Sequence, residues 1–206
     1  MENRSYDDII GNGDAPYLNQ LAATYGLATN YYAITHPSEP NYIAATSGDT
    51  QGIHDDEFHD VNAQNLFSEL FAAGLPWRAY EQGYPGGCYT GEFANGQTDG
   101  PGSVGTYSRK HDPAVMYTSI SGDPSQCSNI QPLSAFDPGS AAFTFITPNQ
   151  QNDMHDGSVQ QGDEFLRSFV PQIVSSPSVV PLGSRLQMAP FQRRWRSNSC
   201  VFQPIS

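Results

Sequence analysis

VNAQNLFSELFAAGLPWRAYE, residues 61–81, carries a helix and the strand that follows it. Over 61–73 the apolar side chains of Leu66, Phe67, Leu70 and Phe71 recur at helical spacing, which predicts an amphipathic helix with that stripe turned inward. Gly74 stands where a left-handed C′ residue closes such a helix. PWRAYE, residues 76–81, then has the length and aromatic content of a strand. Helix feeding strand is the signature of a parallel sheet, because each parallel return needs a crossover.

The alternation extends in both directions. AFTFIT at 142–147 reads as a buried strand stopped by Pro148, and residues 162–174 read as a helix with Phe165, Phe169 and Ile173 on one stripe. Upstream, APYLNQLAATY at 15–25 sets Leu18, Leu21 and Ala22 on one helical face before Gly26. LATNYYAI at 27–34 reads as an aromatic-rich strand, and residues 41–47 as a further helix. Residues 82–112 are glycine-rich and read as loop. The pattern implies an α/β fold, with helices covering both faces of a mostly parallel sheet. Ligands of such sheets gather beyond the carboxyl ends of the strands.

At 206 residues the chain suits one α/β domain with a proper core. A net charge of −12 argues against nucleic acid and anionic membrane surfaces as partners. No apolar run approaches the ~20 residues of a spanning helix, so stable membrane insertion is not expected. Charged residues make up only 15%, and 19 Gly with 16 Pro indicate many loops, a composition that leans toward a secreted or extracytoplasmic enzyme. Cys88 and Cys127 flank the glycine-rich segment without metal-type spacing. A disulfide between them is expected in an oxidising compartment, stabilising by roughly 4 kcal/mol on the chain-entropy model. Cys200 is left over. All 21 acidic residues lie at or before Glu164, whereas Arg185, Arg193, Arg194 and Arg196 crowd the end. That break separates a domain at 1–178 from an aberrant basic tail at 179–206, which reads either as a basic anchoring tail or as the product of a shifted reading frame or misjoined sequence, the second being favoured.

Five polar clusters could carry chemistry. In THPSEPNY, residues 35–42, Ser38 precedes Pro40, which suits the first turn of a helix. A hydroxyl there faces the positive end of the helix dipole and its unpaired amides, a good place to attack and hold a phosphoryl group. The ordinary alternative is a serine N-cap. Glu2-Asn3 offers adjacent hard oxygen ligands for a divalent cation. Residues 149–156 pack Asn149, Asn152, Asp153, His155 and Asp156 just past a strand, either as an Asx-rich turn or as a phosphate-facing wall. Asp49, His54, Asp55, Asp56, His59 and Asp60 form another run, read as a solvated loop with one or two functional members. Lys110 and His111 add the cationic donors an anionic substrate needs.

Together the segments MENRSYDDIIG, APYLNQLA, ATNYYAITHPSEPNYIAATSG, WRAYEQ, YSRKHDPAVMY and FTFITPNQQNDMHDGS resemble, in order, the phosphoesterase family of acid phosphatases and bacterial phospholipases C, within the alkaline phosphatase superfamily. The resemblance runs from residue 1 to about 178. It implies a three-layer α/β/α sandwich and a metal-dependent hydrolase acting on a small phosphate ester. By motif, Glu2, Asn3 and Ser38 look like ligands of a divalent metal cation. Ser38 also looks like the nucleophile that becomes phosphorylated, and Asn41 like a phosphate-oxygen donor. Asn149, Asp153, Lys110 and His111 look like substrate-binding groups, with His155 the transition-state donor or leaving-group acid. The family's first strand is expected ahead of Glu2, and its Trp-Asp-Glu metal-ligand step and a histidine-bearing segment after about residue 178; this sequence shows none of the three. The domain therefore reads as partial. A phospholipase C-type phosphodiesterase and a non-catalytic binding module are the competing functions.

Overall fold

The computed structural model describes residues 1–94 and 107–179. Cys200, the basic tail from 180 onward and part of the glycine-rich segment lie outside the described residues.

Three strands form an open parallel sheet in the order β2-β1-β3, with β1 at Trp77–Glu81, β2 at Ile130–Pro132 and β3 at Phe143–Thr147. Register pairs Trp77 with Phe143, Ala79 with Phe145 and Glu81 with Thr147. On the other side Ala79 meets Ile130. Side chains alternate across a strand, so Trp77, Ala79, Phe143 and Phe145 share one face. Phe67, fully buried in helix α4 (Leu66–Ala72), fills that face, with ring centroids 4.8 Å from Trp77, 6.2 Å from Phe143 and 6.3 Å from Phe145. Helix α3 (Glu39–Ser47) joins it there through Tyr42, 6.4 Å from Phe145. The opposite face presents Tyr80 to Phe136, which packs on Phe169 of helix α8 (Val159–Val174). Helices on both sides of a parallel sheet make this an α/β fold in three layers.

A second apolar cluster sits between α2 (Pro16–Thr24) and α8, joining Leu18 and Leu21 to Leu166 and Val170. Buried Asp163 couples these helices, its carboxylate accepting from the backbone N–H of Tyr17 at 3.0 Å and of Leu18 at 2.8 Å. Gly162 lets Met154 and Met1 pack against α8, since a Cβ there would collide with both side chains.

Several expectations need adjustment. Residues 27–34 form no strand: Tyr32 is 77% and Ile34 69% exposed. The Ile34 and Thr35 amides donate to the side-chain Oδ1 of Asn41, so this segment answers to a turn and not to a sheet ladder. Phe71 faces solvent, at 58% exposure, because α4 begins only at Leu66 and its buried stripe narrows to Phe67 and Leu70. Residues 61–63 are instead extended, with Val61 bridged to Tyr117. Short helices at Pro113–Met116 (α5), Thr118–Ser121 (α6) and Pro124–Cys127 (α7), like β2, carried no usable period in the sequence. Cys88 and Cys127 are joined by a disulfide, as expected.

Candidate active site

Ser38 opens helix α3, and Pro40 sits in its first turn where a missing N–H costs nothing. The helix ends at Gly48, whose φ of 82° supplies the left-handed C-cap while its N–H returns to Ala44 O at 2.8 Å. Ser38 is buried, yet its hydroxyl does not cap the helix. It donates instead to Glu2 Oε2 at 3.3 Å. The ordinary N-cap reading therefore fails for this side chain.

Glu2 is fully buried, pinned by its N–H to Asp153 O at 2.6 Å. Tyr42, one helical turn beyond Ser38, donates its hydroxyl to Glu2 Oε1 at 2.8 Å. Burial, then the Glu2 charge, pushes the Tyr42 pKa well above its ordinary value, which keeps it a neutral donor. His111 completes the buried layer, stacked on Tyr42 with centroids 5.2 Å apart. Its Nε2 lies 4.0 Å from Glu2 Oε1 and its Nδ1 3.2 Å from Asp153 Oδ2. Neither contact has hydrogen-bond alignment, so both act through charge. Burial alone would lower the His111 pKa, but the Asp153 contact and the Glu2 charge outweigh it and raise it.

The outer rim is built by the segment after β3. Asp153 Oδ1 accepts from the His155 N–H at 2.7 Å, and His155 Nδ1 meets Asp156 Oδ1 at 2.8 Å. His155 Nε2 lies 3.3 Å from Lys110 Nζ. Its ring centroid is 5.5 Å from that of His111. Lys110 and His111 occupy a 3-10 turn, Arg109–His111, which Thr147 Oγ1 fastens to the end of β3 by donating to His111 O at 3.2 Å.

Of the residues singled out in the sequence, Glu2, Ser38, Lys110, His111, Asp153 and His155 are thus brought together from four separate segments. Asn41, Asn149 and Asn3 take other places. Asn41 lies in the same turn, with Nδ2 donating to Thr35 O at 2.8 Å and Pro37 O at 3.0 Å, so its amide braces the loop. Asn149 Oδ1 accepts from the Asn152 N–H at 3.0 Å, as an Asx turn does. Asn3 is exposed at a φ of 50°. Sequence reading did not single out Tyr42, and it named Asp56 only as one of several acids in the 49–60 run.

The donor chemistry of the site fits an oxygen-ligated cation in part. Glu2 and Ser38 converge with hard oxygens, whereas Asn3 does not join them. Among the described residues no group of three His, Cys, Asp or Glu side chains has metal-holding geometry.

The phosphoesterase family model matches residues 11–181, and the chain belongs to that family. It is 40% identical over 173 residues to a phosphatidylinositol-3-phosphatase of Mycobacterium tuberculosis, a match covering 80% of this chain and 52% of the relative. It is 32% identical over 184 residues to an acid phosphatase of Aspergillus fumigatus, covering 85% and 40% respectively. A probable acid phosphatase of Kluyveromyces lactis is 30% identical over 184 residues, covering 85% and 42%. The chain spans about half the length, or less, of these curated relatives.

Proposed function

We propose that this domain hydrolyses phosphate monoesters with Ser38 as the nucleophile. The observation that carries the reading is the Ser38–Glu2 contact: a buried hydroxyl at a helix start ignores its own helix and donates to a buried carboxylate. The relatives' names support a monoester over a diester, since each is called a phosphatase.

In the reaction Ser38 Oγ bonds to phosphorus as the bond to the ester oxygen breaks, and the serine proton passes to Glu2 Oε2. The departing alcohol takes a proton from the Lys110–His155 pair; water then bonds to phosphorus and gives a proton back to that pair, while the bond to Ser38 Oγ breaks, Glu2 returns its proton to Oγ, and inorganic phosphate is released. The α3 N-terminus and Lys110 supply positive potential in a chain of net charge −12. Glu2 and Ser38 would hold a divalent cation, which when bound lowers the hydroxyl pKa and offsets charge on the phosphoryl oxygens. A disulfide at Cys88–Cys127 and the low charge content support an extracytoplasmic location.

Ser38→Ala in the full-length protein should abolish turnover of an aryl phosphate, by about 10³-fold or more, with circular dichroism unchanged. Activity retained in that variant removes Ser38 from the mechanism. A chelator should inactivate the enzyme and added divalent cation restore it; indifference to both counts against the cation.

A further inference from the structure

Asp56 stands between two parts of the site that the chain brings from distant positions. Its Oδ1 accepts from the Glu39 N–H at 2.9 Å, the backbone donor immediately after Ser38. Its Oδ2 lies 3.4 Å from Lys110 Nζ. Its main-chain oxygen lies 3.4 Å from Arg109 Nη2, whose guanidinium also stacks over Phe58 at 5.0 Å, so the loop around Asp56 is held from both sides. We propose that Asp56 is a positioning residue of this site, fixing the Lys110 ammonium between the turn that carries Ser38 and the ring of His155. The proposal rests on the hydrolase reading above for its consequence in turnover, though not for its geometry.

The chemistry of the donors makes the arrangement specific. An ammonium has donors only, so His155 Nε2, 3.3 Å from Lys110 Nζ, must accept. The ring proton then sits on Nδ1, facing the Asp156 carboxylate at 2.8 Å. Asp156 at Nδ1 and Lys110 at Nε2 thus select the tautomer together, and Asp56 acts on the second of these by holding Lys110, without touching the ring. The same carboxylate anchors the first turn of α3, so the nucleophile and the cation share one reference point. Proximity of that kind is where a small misplacement costs rate. If Asp56 were merely a helix cap, its charge would be irrelevant, because an amide oxygen caps as well as a carboxylate.

Asp56→Asn separates these roles, keeping an acceptor for Glu39 N–H and removing the charge that holds Lys110. In the full chain labelled with ¹⁵N-histidine, the His155 Nε2 and Nδ1 resonances should move in Asp56→Asn while the melting temperature stays at the wild-type value. Lys110→Ala should move the same resonances, and it provides the reading if Asp56→Asn does not fold. Turnover of an aryl phosphate should fall about tenfold in Asp56→Asn, with the Asp56→Asn/Lys110→Ala double variant no worse than Lys110→Ala alone. His155 resonances that stay at wild-type positions in Asp56→Asn overturn the proposal whatever the activity. Resonances that move in a full-length protein with no phosphatase activity support the positioning and sink the hydrolase reading instead.

Discussion

A phenol holds the carboxylate to which Ser38 donates. The Tyr42 hydroxyl donates to Glu2 Oε1 at 2.8 Å, and both side chains are buried. Tyr42→Phe leaves a buried carboxylate oxygen short of a donor, which should destabilise by about 1–3 kcal/mol in urea unfolding and lower kcat more than it raises KM. Equal stability in that variant means the oxygen finds another donor. At this scale the Ser38 turn at the start of a helix is legible in the sequence, because S-x-P before a helix is a local pattern. Tyr42 and Asp56 are not, since their roles come from contacts spanning 40 and 17 positions, which no spacing rule encodes.

Strand β1 behaves as the sequence says it should, and helix α4 keeps its Gly74 stop while starting later than its period suggests and turning Phe71 to solvent. Phe67 is the knob between them, touching Trp77, Phe143, Phe145 and Tyr117. Phe67→Ala should cost about 3–5 kcal/mol in chemical denaturation, as large aromatic deletions in dry cores do. Strand β1 also ends in an unusual way, delivering Glu81 into the interior near Asp112, which itself caps α5. Burial, then mutual repulsion, lifts Glu81 well above the usual carboxylate range, and burial lifts Asp112 to about 7. The sign follows from proton counting. Folded protein retains protons on this pair that the unfolded chain has lost, so the pair's contribution to stability is fully present below about pH 4 and falls as pH rises through 7. Denaturation midpoints at pH 4.5 and 7.5 should show that fall, and the Glu81→Gln/Asp112→Asn pair should flatten it. A slope that survives the double change belongs to other groups. The 27–34 segment teaches the converse: its aromatic content suggests a strand, but a strand exists only with a neighbour, and at its end the Ile34 amide, with that of Thr35, goes to Asn41.

Across the molecule, two staples and two cores share the load. The Cys88–Cys127 bridge closes a loop of 39 positions between the glycine-rich segment and α7. Reduction should lower stability by roughly 4 kcal/mol, read as a drop in melting temperature with reductant. An unchanged melting curve would mean that this loop is already ordered without its sulfurs. The pairing is legible in the sequence because only these cysteines flank that excursion; the split of the interior into two clusters is not, since it depends on which helix meets which face. Asp163 then has a consequence for dynamics. By gripping the Tyr17 and Leu18 amides from a different helix, it makes α2 and α8 open as one cooperative unit. In deuterated solvent those two amide protons should therefore exchange at the slow rate of α8, so that a short helix near the beginning reports on the breathing of one more than a hundred positions away.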